Sequence, residues 1–145
     1  MRLLGHPLHP LLVHFPIAFW VAGTACDVLA LLGLEDAWHY GNLLLIAGTI
    51  CAIPAMIAGF VDLAQQRPAA VSTANRHALL MGASWTVYLA AVIVRNDQWL
   101  PKQDPDLFSL CLSITGLAIM ALGGWYGAQL VYHHGAGVRP LSTDE

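Results

Sequence analysis

Gly5-His6-Pro7-Leu8-His9-Pro10-Leu11-Leu12-Val13-His14-Phe15-Pro16 sets three histidines and three prolines directly ahead of a long apolar run. Proline is accepted in the first turn of a helix and disrupts it further in. Either Pro10 or Pro16 therefore opens the first helix; if it is Pro10, Pro16 kinks the helix further along. Both readings hold His14 at the boundary between headgroups and hydrocarbon, with His9 and His6 just outside. Neutral imidazole is the commonest protein ligand for transition metals and also holds haem iron. Ionisable groups kept at membrane depth are costly, so such histidines point to function.

The rest of the chain supplies the membrane. Of its 145 residues, 57% are hydrophobic and 10% charged, with a mean hydropathy of +0.61. Soluble domains carry about 25% charged residues, so the composition is that of an integral membrane protein. A net charge of −3 argues against nucleic acid as a partner. Cys26, Cys51 and Cys111 all fall inside apolar runs and form no C-x-x-C or C-x-x-C-H pattern. That leaves out a thioredoxin motif and a covalently attached c-type haem, and marks the thiols as small packing residues. Gly23-Thr24-Ala25-Cys26 faintly resembles a lipoprotein cleavage site. The preceding segment carries only Arg2, and cleavage would discard the histidines, so the first run reads as an uncleaved span.

A span needs about 20 apolar residues, and four stretches qualify: 11–34, 40–63, 76–95 and 107–132. Pro54 predicts a kink in the second. Residues 64–75 read as a connector, 96–106 as a polar loop with Pro101 and Pro105, and 133–145 as a flexible tail. Trp38, Tyr40, Trp99 and Tyr132 fall near span ends, where aromatic belts belong. The fold expected over residues 1–145 is a single all-α domain, an integral membrane four-helix bundle with both termini on one side. That side carries Arg2, Arg67, Arg76 and Arg139, against Arg95 and Lys102 on the other. The positive-inside rule then puts the termini in the cytoplasm.

Four spans also gather the polar groups. His6, His9 and His14 open the first, Asp62 closes the second, His77 opens the third, and His133 and His134 follow the fourth. Six of the seven histidines thus share one end, and only His39 lies opposite. Steps of three or four from these groups trace stripes. They are Ala58, Ala55, Cys51 and Gly48 from Asp62; Leu130, Gly127, Gly123, Met120 and Gly116 from His134; Ala18, Val21 (or Ala22) and Ala25 from His14; and Met81, Ser84 and Tyr88 from His77. Small residues mark close helix approaches in membranes, so the four groups are expected to converge on the bundle axis. Asp27 stands apart, with Arg95 as its candidate partner in a local polar contact. Gly123-x-x-x-Gly127 reads as a packing feature.

A haem b held between histidines on two helices is one use of such a site. His14 and His77 are the expected axial pair, and His9 with His134 the alternative. Asp62 would accept a ring N–H of a ligand histidine, fixing its tautomer. Arg76, and Arg2 after it, would receive the haem propionates. A non-haem site for a transition metal is the second use. A structural or partner-binding subunit, its polar cluster only locking helix ends, is the third. No nucleophile paired with a base is legible, nor a Gly-rich phosphate loop, which favours an electron-transfer or binding module over a stand-alone catalyst.

These same residues carry a resemblance. The opening His6-Pro-Leu-His-Pro-x-Leu-Val-His14-Phe-Pro-Ile-Ala, the Gly59-x-x-Asp62 close of the second span, His77, and the ending from Gly123-Gly to His134-Gly-x-Gly-Val together resemble the bacterial membrane family catalogued as domain of unknown function 2231. The resemblance covers almost the whole chain. It implies a bacterial inner-membrane setting. Relatives joined to Rieske-type iron–sulphur or c-type cytochrome domains imply redox company, with a Rieske-type or cytochrome c partner and haem b as the cofactor. Such domains usually work outside the cytoplasm.

Overall fold

The computed structural model describes residues 2–3, 6–96 and 105–138, with side chains from Pro7 onward. Its elements are β1 (Arg2–Leu3), β2 (His6–Pro7), α1 (Leu8–Leu12), α2 (His14–Leu31), α3 (Ala37–Leu63), α4 (Pro68–Asn96) and α5 (Leu107–Tyr132). β1 and β2 form a two-residue antiparallel ladder that pairs Arg2 with Pro7 and Leu3 with His6. The helices from α1 onward make the expected all-α bundle. Its four membrane-length segments are Leu8–Leu31, Ala37–Leu63, Pro68–Asn96 and Leu107–Tyr132. The shortest has 24 residues, about 36 Å at 1.5 Å per residue, enough for a hydrocarbon core of about 30 Å.

The ends of the elements follow local chemistry. Helix formation begins at Leu8, placing Pro10 in the first turn, where its missing N–H costs nothing. Val13 interrupts the helix for one residue ahead of Pro16, and α2 resumes at His14. α2 ends in a Schellman turn: Gly33, at φ +88, lets Leu34 N–H reach Leu29 O at 3.1 Å and Gly33 N–H reach Ala30 O at 3.0 Å. The third span begins at Pro68 rather than near residue 76, because proline suits a helix start; the connector shrinks to the residues between Leu63 and Pro68. Asp106 caps α5 by accepting from Ser109 N–H. Residues 133–138 continue into ordered turns, with Ala136 N–H returning to Leu130 O at 2.8 Å. Trp99, Pro101 and Lys102, and the tail from Arg139 onward, lie outside the described residues, as do the side chains of Arg2 and His6.

The bundle is apolar outside and polar inside. Phe15, Leu32, Ile57, Phe60, Leu79, Ile93 and Trp125 are exposed, whereas Asp27, Ser84, Ser109 and Ser113 have no exposed surface and Arg95 has 1%. Water would reverse that distribution; hydrocarbon explains it. Helices pair as hairpins, α2 with α3 and α4 with α5, and α2 and α4 meet across the middle. There Trp20 and Tyr88 stack with ring centres 4.6 Å apart and planes 8° from parallel. Glycines admit these rings: a Cβ at Gly48 would lie 2.7 Å from Trp20, and one at Gly116 would lie 2.9 Å from Tyr88. Trp20 Nε1 donates to Thr49 Oγ1 at 3.4 Å, and the Tyr88 and Thr24 hydroxyls share a hydrogen bond of 3.2 Å.

The stripe expected from His14 does not face inward. Ala18, Val21, Ala22 and Ala25 are exposed; the buried face of α2 runs through Pro16, Trp20, Gly23, Thr24, Asp27 and Ala30. The rule of small residues inward fails here because the large ring lies on α2 and the small residue that receives it, Gly48, lies on α3. The stripes expected on the other spans do turn inward, with Ala58, Ala55, Gly48, Ser84, Tyr88, Met120, Gly123 and Gly116 buried.

Candidate functional site

Two polar centres lie at opposite ends of the bundle. The first is a histidine pair. The early start of α1 turns His9 inward, and His77 projects from the third turn of α4 at the same end. Their ring centres are 6.2 Å apart, with planes at 82°. His9 Nδ1 lies 2.8 Å from Ala55 O, and His77 Nδ1 lies 2.8 Å from Gly123 O. A carbonyl only accepts, so Nδ1 carries the proton in both rings. The Nε2 atoms have no hydrogen-bond partner among the described residues. Each ring also lies against a glycine: a Cβ at Gly59 or at Gly127 would come within 3.0 Å of His9 Cε1 or His77 Cε1. An Nδ1–H fixed on a backbone carbonyl is how proteins orient a histidine for ligation through Nε2.

The placement of the other candidates follows. His14 is exposed on α2, so the structure brings His9, not His14, to His77. His14 lies on the same outward side as Ala18, Val21 and Ala25, away from the buried face that runs through Pro16 and Trp20. His134 is half-buried and shares a hydrogen bond of 3.2 Å with Thr73 Oγ1, apart from His9, while its ring meets that of His133. Asp62 is half-buried in the last turn of α3. The ring N–H acceptor expected of it is supplied, at Nδ1 of both paired histidines, by backbone carbonyls. Arg76 is exposed beside His77, its guanidinium 5.8 Å from the Tyr126 ring centre. Gly123 and Gly127, expected only to pack, form a wall of the histidine site. Among the described residues, no group of three or more His, Cys, Asp or Glu side chains could hold a metal ion.

The second centre is the ion pair that the sequence offered as a local contact. Arg95 grips Asp27 with both terminal nitrogens, Nη1 to Oδ1 at 2.8 Å and Nη2 to Oδ2. Arg95 Nε donates to Ser109 Oγ at 2.5 Å, and Nη2 also reaches Ser113 Oγ at 3.3 Å. Trp38 covers the guanidinium at 3.9 Å from its ring centre. Trp38 is therefore 4% exposed and belongs to the interior, not to an aromatic belt; Tyr40 and Tyr132 are exposed at helix ends as a belt requires. Beside this centre Asn42 and Asn96 exchange amide hydrogen bonds of 3.1 and 3.2 Å. Cys26, Cys51 and Cys111 are free thiols.

No curated protein and no solved structure matches the chain. The family model described as "Predicted membrane protein (DUF2231)" matches residues 5–140, a stretch that takes in the histidine pair, the ion pair and all four spans. The chain belongs to this family of predicted membrane proteins.

Proposed function

We propose that the protein binds haem b non-covalently between His9 and His77 and passes electrons within a bacterial inner membrane. The observation that carries this reading is the pair itself: two imidazoles from different helices, each held at Nδ1 by a backbone carbonyl, with ring centres 6.2 Å apart. His9 and His77 would hold the haem iron through Nε2. Haem would need only two donors from the chain, here His9 and His77, whereas a bare transition metal would need three or four. Among the described residues no group of three or more such donors stands at the pair, which favours haem over a non-haem site. When bound, haem supplies one-electron chemistry. The chain's own part is to fix both rings and keep their surroundings apolar, while Arg76, at the same end, receives propionate charge.

A structural reading also has a specific observation behind it. The hydrogen bonds from His9 to α3 and from His77 to α5 tie helix ends together within each hairpin. Such bonds average about 0.6 kcal/mol in membranes, a modest return for two interior histidines. Arg95 is spent on Asp27, while Arg67 and Arg76 stand exposed at the other end, which the termini share. That supports cytoplasmic termini. A Rieske-type or cytochrome c domain would be the redox partner.

The test is the absorption spectrum, oxidised and dithionite-reduced, of protein purified in mild detergent from cells supplied with haem. A sharp Soret band with narrow, split reduced bands is expected. A featureless spectrum from well-folded protein overturns the haem reading, and bound metal by elemental analysis then separates a non-haem site from a structural role.

A further inference from the structure

Three contacts across the middle of the bundle join residues at one constant offset of 68 in the sequence: His9 with His77, Trp20 with Tyr88, and Asp27 with Arg95. Their surroundings repeat at the same offset. His9 bonds Ala55 and lies on Gly59, as His77 bonds Gly123 and lies on Gly127. Trp20 covers Gly48 as Tyr88 covers Gly116. Asp27 lies against Gly41, and Arg95 bonds the equivalent Ser109. Equivalent residues touching at three levels require α2 and α4 to run parallel, with a two-fold axis between them along the bundle. Membrane proteins built from parallel repeats place their axis along the membrane normal in this way.

We propose that the chain is two equivalent helical hairpins, α1–α3 and α4–α5, and that the Asp27–Arg95 pair is the key by which each recognises the other and refuses its own copy. The symmetry carries the argument. Residues on a two-fold axis face their own equivalents, so two first hairpins would bury Asp27 against Asp27, and two second hairpins Arg95 against Arg95. Like charges buried in an apolar interior are heavily penalised. Only the mixed pairing sets acid against base. The second hairpin is further fitted to its charge: Ser109 and Ser113 bond the guanidinium where the first hairpin has Gly41 and Leu45. The same key works between chains, since a domain-swapped assembly must also mate a first hairpin with a second. This inference stands whether or not the histidines hold haem.

The full-length chain tests it. D27R and R95D singly are expected to lose the monodisperse gel-filtration peak in detergent, with yields at least tenfold below wild type. Exchanging the two charges together with the residues at 41 and 109 and at 45 and 113 (D27R, R95D, G41S, S109G, L45S, S113L) is expected to restore yield to within about threefold, because equivalent positions accept each other's residues. An exchange variant no better than the single variants overturns the proposal. D27L/R95L provides the second reading, since apolar residues replace a buried pair without leaving an orphan charge. Co-expressed copies with two different tags should co-purify severalfold more than wild-type copies do. Co-purification unchanged from wild type means the pair does not govern partner choice.

Discussion

Arg95 shows how a guanidinium is carried inside hydrocarbon. Its terminal nitrogens meet both carboxylate oxygens of Asp27, Ser109 takes Nε, and Trp38 covers the cationic face. Every part of the charge has a partner, which is the condition for burying it. Removing one member leaves the other orphaned at 0–1% exposure. Asp27→Asn or Arg95→Gln should each destabilise the bundle by about 3–5 kcal/mol, read as a fall in the thermal unfolding midpoint in detergent. A shift no larger than that of Asn42→Ala, on the neighbouring amide pair, would contradict this account. Asp27 and Arg95 were legible as partners because they are the only charged residues inside the expected spans toward that end. Trp38 was misplaced because a tryptophan near a span end has two uses, belt and cation cover, and the sequence does not separate them.

At the scale of the helix, position on the turn decides what a residue can do. His14 and His9 are five residues apart and therefore point in different directions, so the turn at which the helix starts selects the histidine that faces His77. Two prolines left that start open, and the helix begins at Leu8, ahead of Pro10, with His9 turned to His77. The glycine contacts follow the same logic. At Gly48 a Cβ would come within 2.7 Å of the Trp20 ring, whereas at Gly124 it would meet nothing within 4 Å. Gly48→Ala should therefore lower stability by about 1–3 kcal/mol through overpacking. Gly124→Ala should raise it slightly, by up to about 1 kcal/mol of helix propensity. Thermal unfolding of the two variants compares them directly, and equal effects would deny that α2 and α3 pack at glycine distance.

For the whole molecule, four spans, their order and the shared end of the termini were readable from hydropathy alone, because a bilayer admits few alternatives. The two-fold relation was not. Helices tolerate any residue of suitable size on an axis, so Trp20 and Tyr88, or Asp27 and Arg95, are structurally equivalent without resembling each other in sequence. At the positions that make these contacts the surviving trace is thin: His9 and His77, Gly48 and Gly116, and Gly59 and Gly127 are identical at the common offset. Sidedness is a property of this scale too. In a chain with Cys26, Cys51 and Cys111 replaced by alanine, Glu35→Cys should react with a membrane-impermeant maleimide in intact cells, and Gln65→Cys only after lysis. The reverse pattern would place the termini outside the cytoplasm.

The central claim is that His9 and His77, facing each other across the axis, are the working pair. The most direct measurement is haem content and spin state of wild type, His9→Ala, His77→Ala and His14→Ala, purified side by side. His14→Ala should keep the wild-type low-spin spectrum and one haem per chain. His9→Ala and His77→Ala should each lose low-spin haem, at least tenfold in retained amount, while keeping the wild-type gel-filtration profile. Loss of haem in His14→Ala with full retention in His9→Ala would contradict the account and return the ligand role to His14.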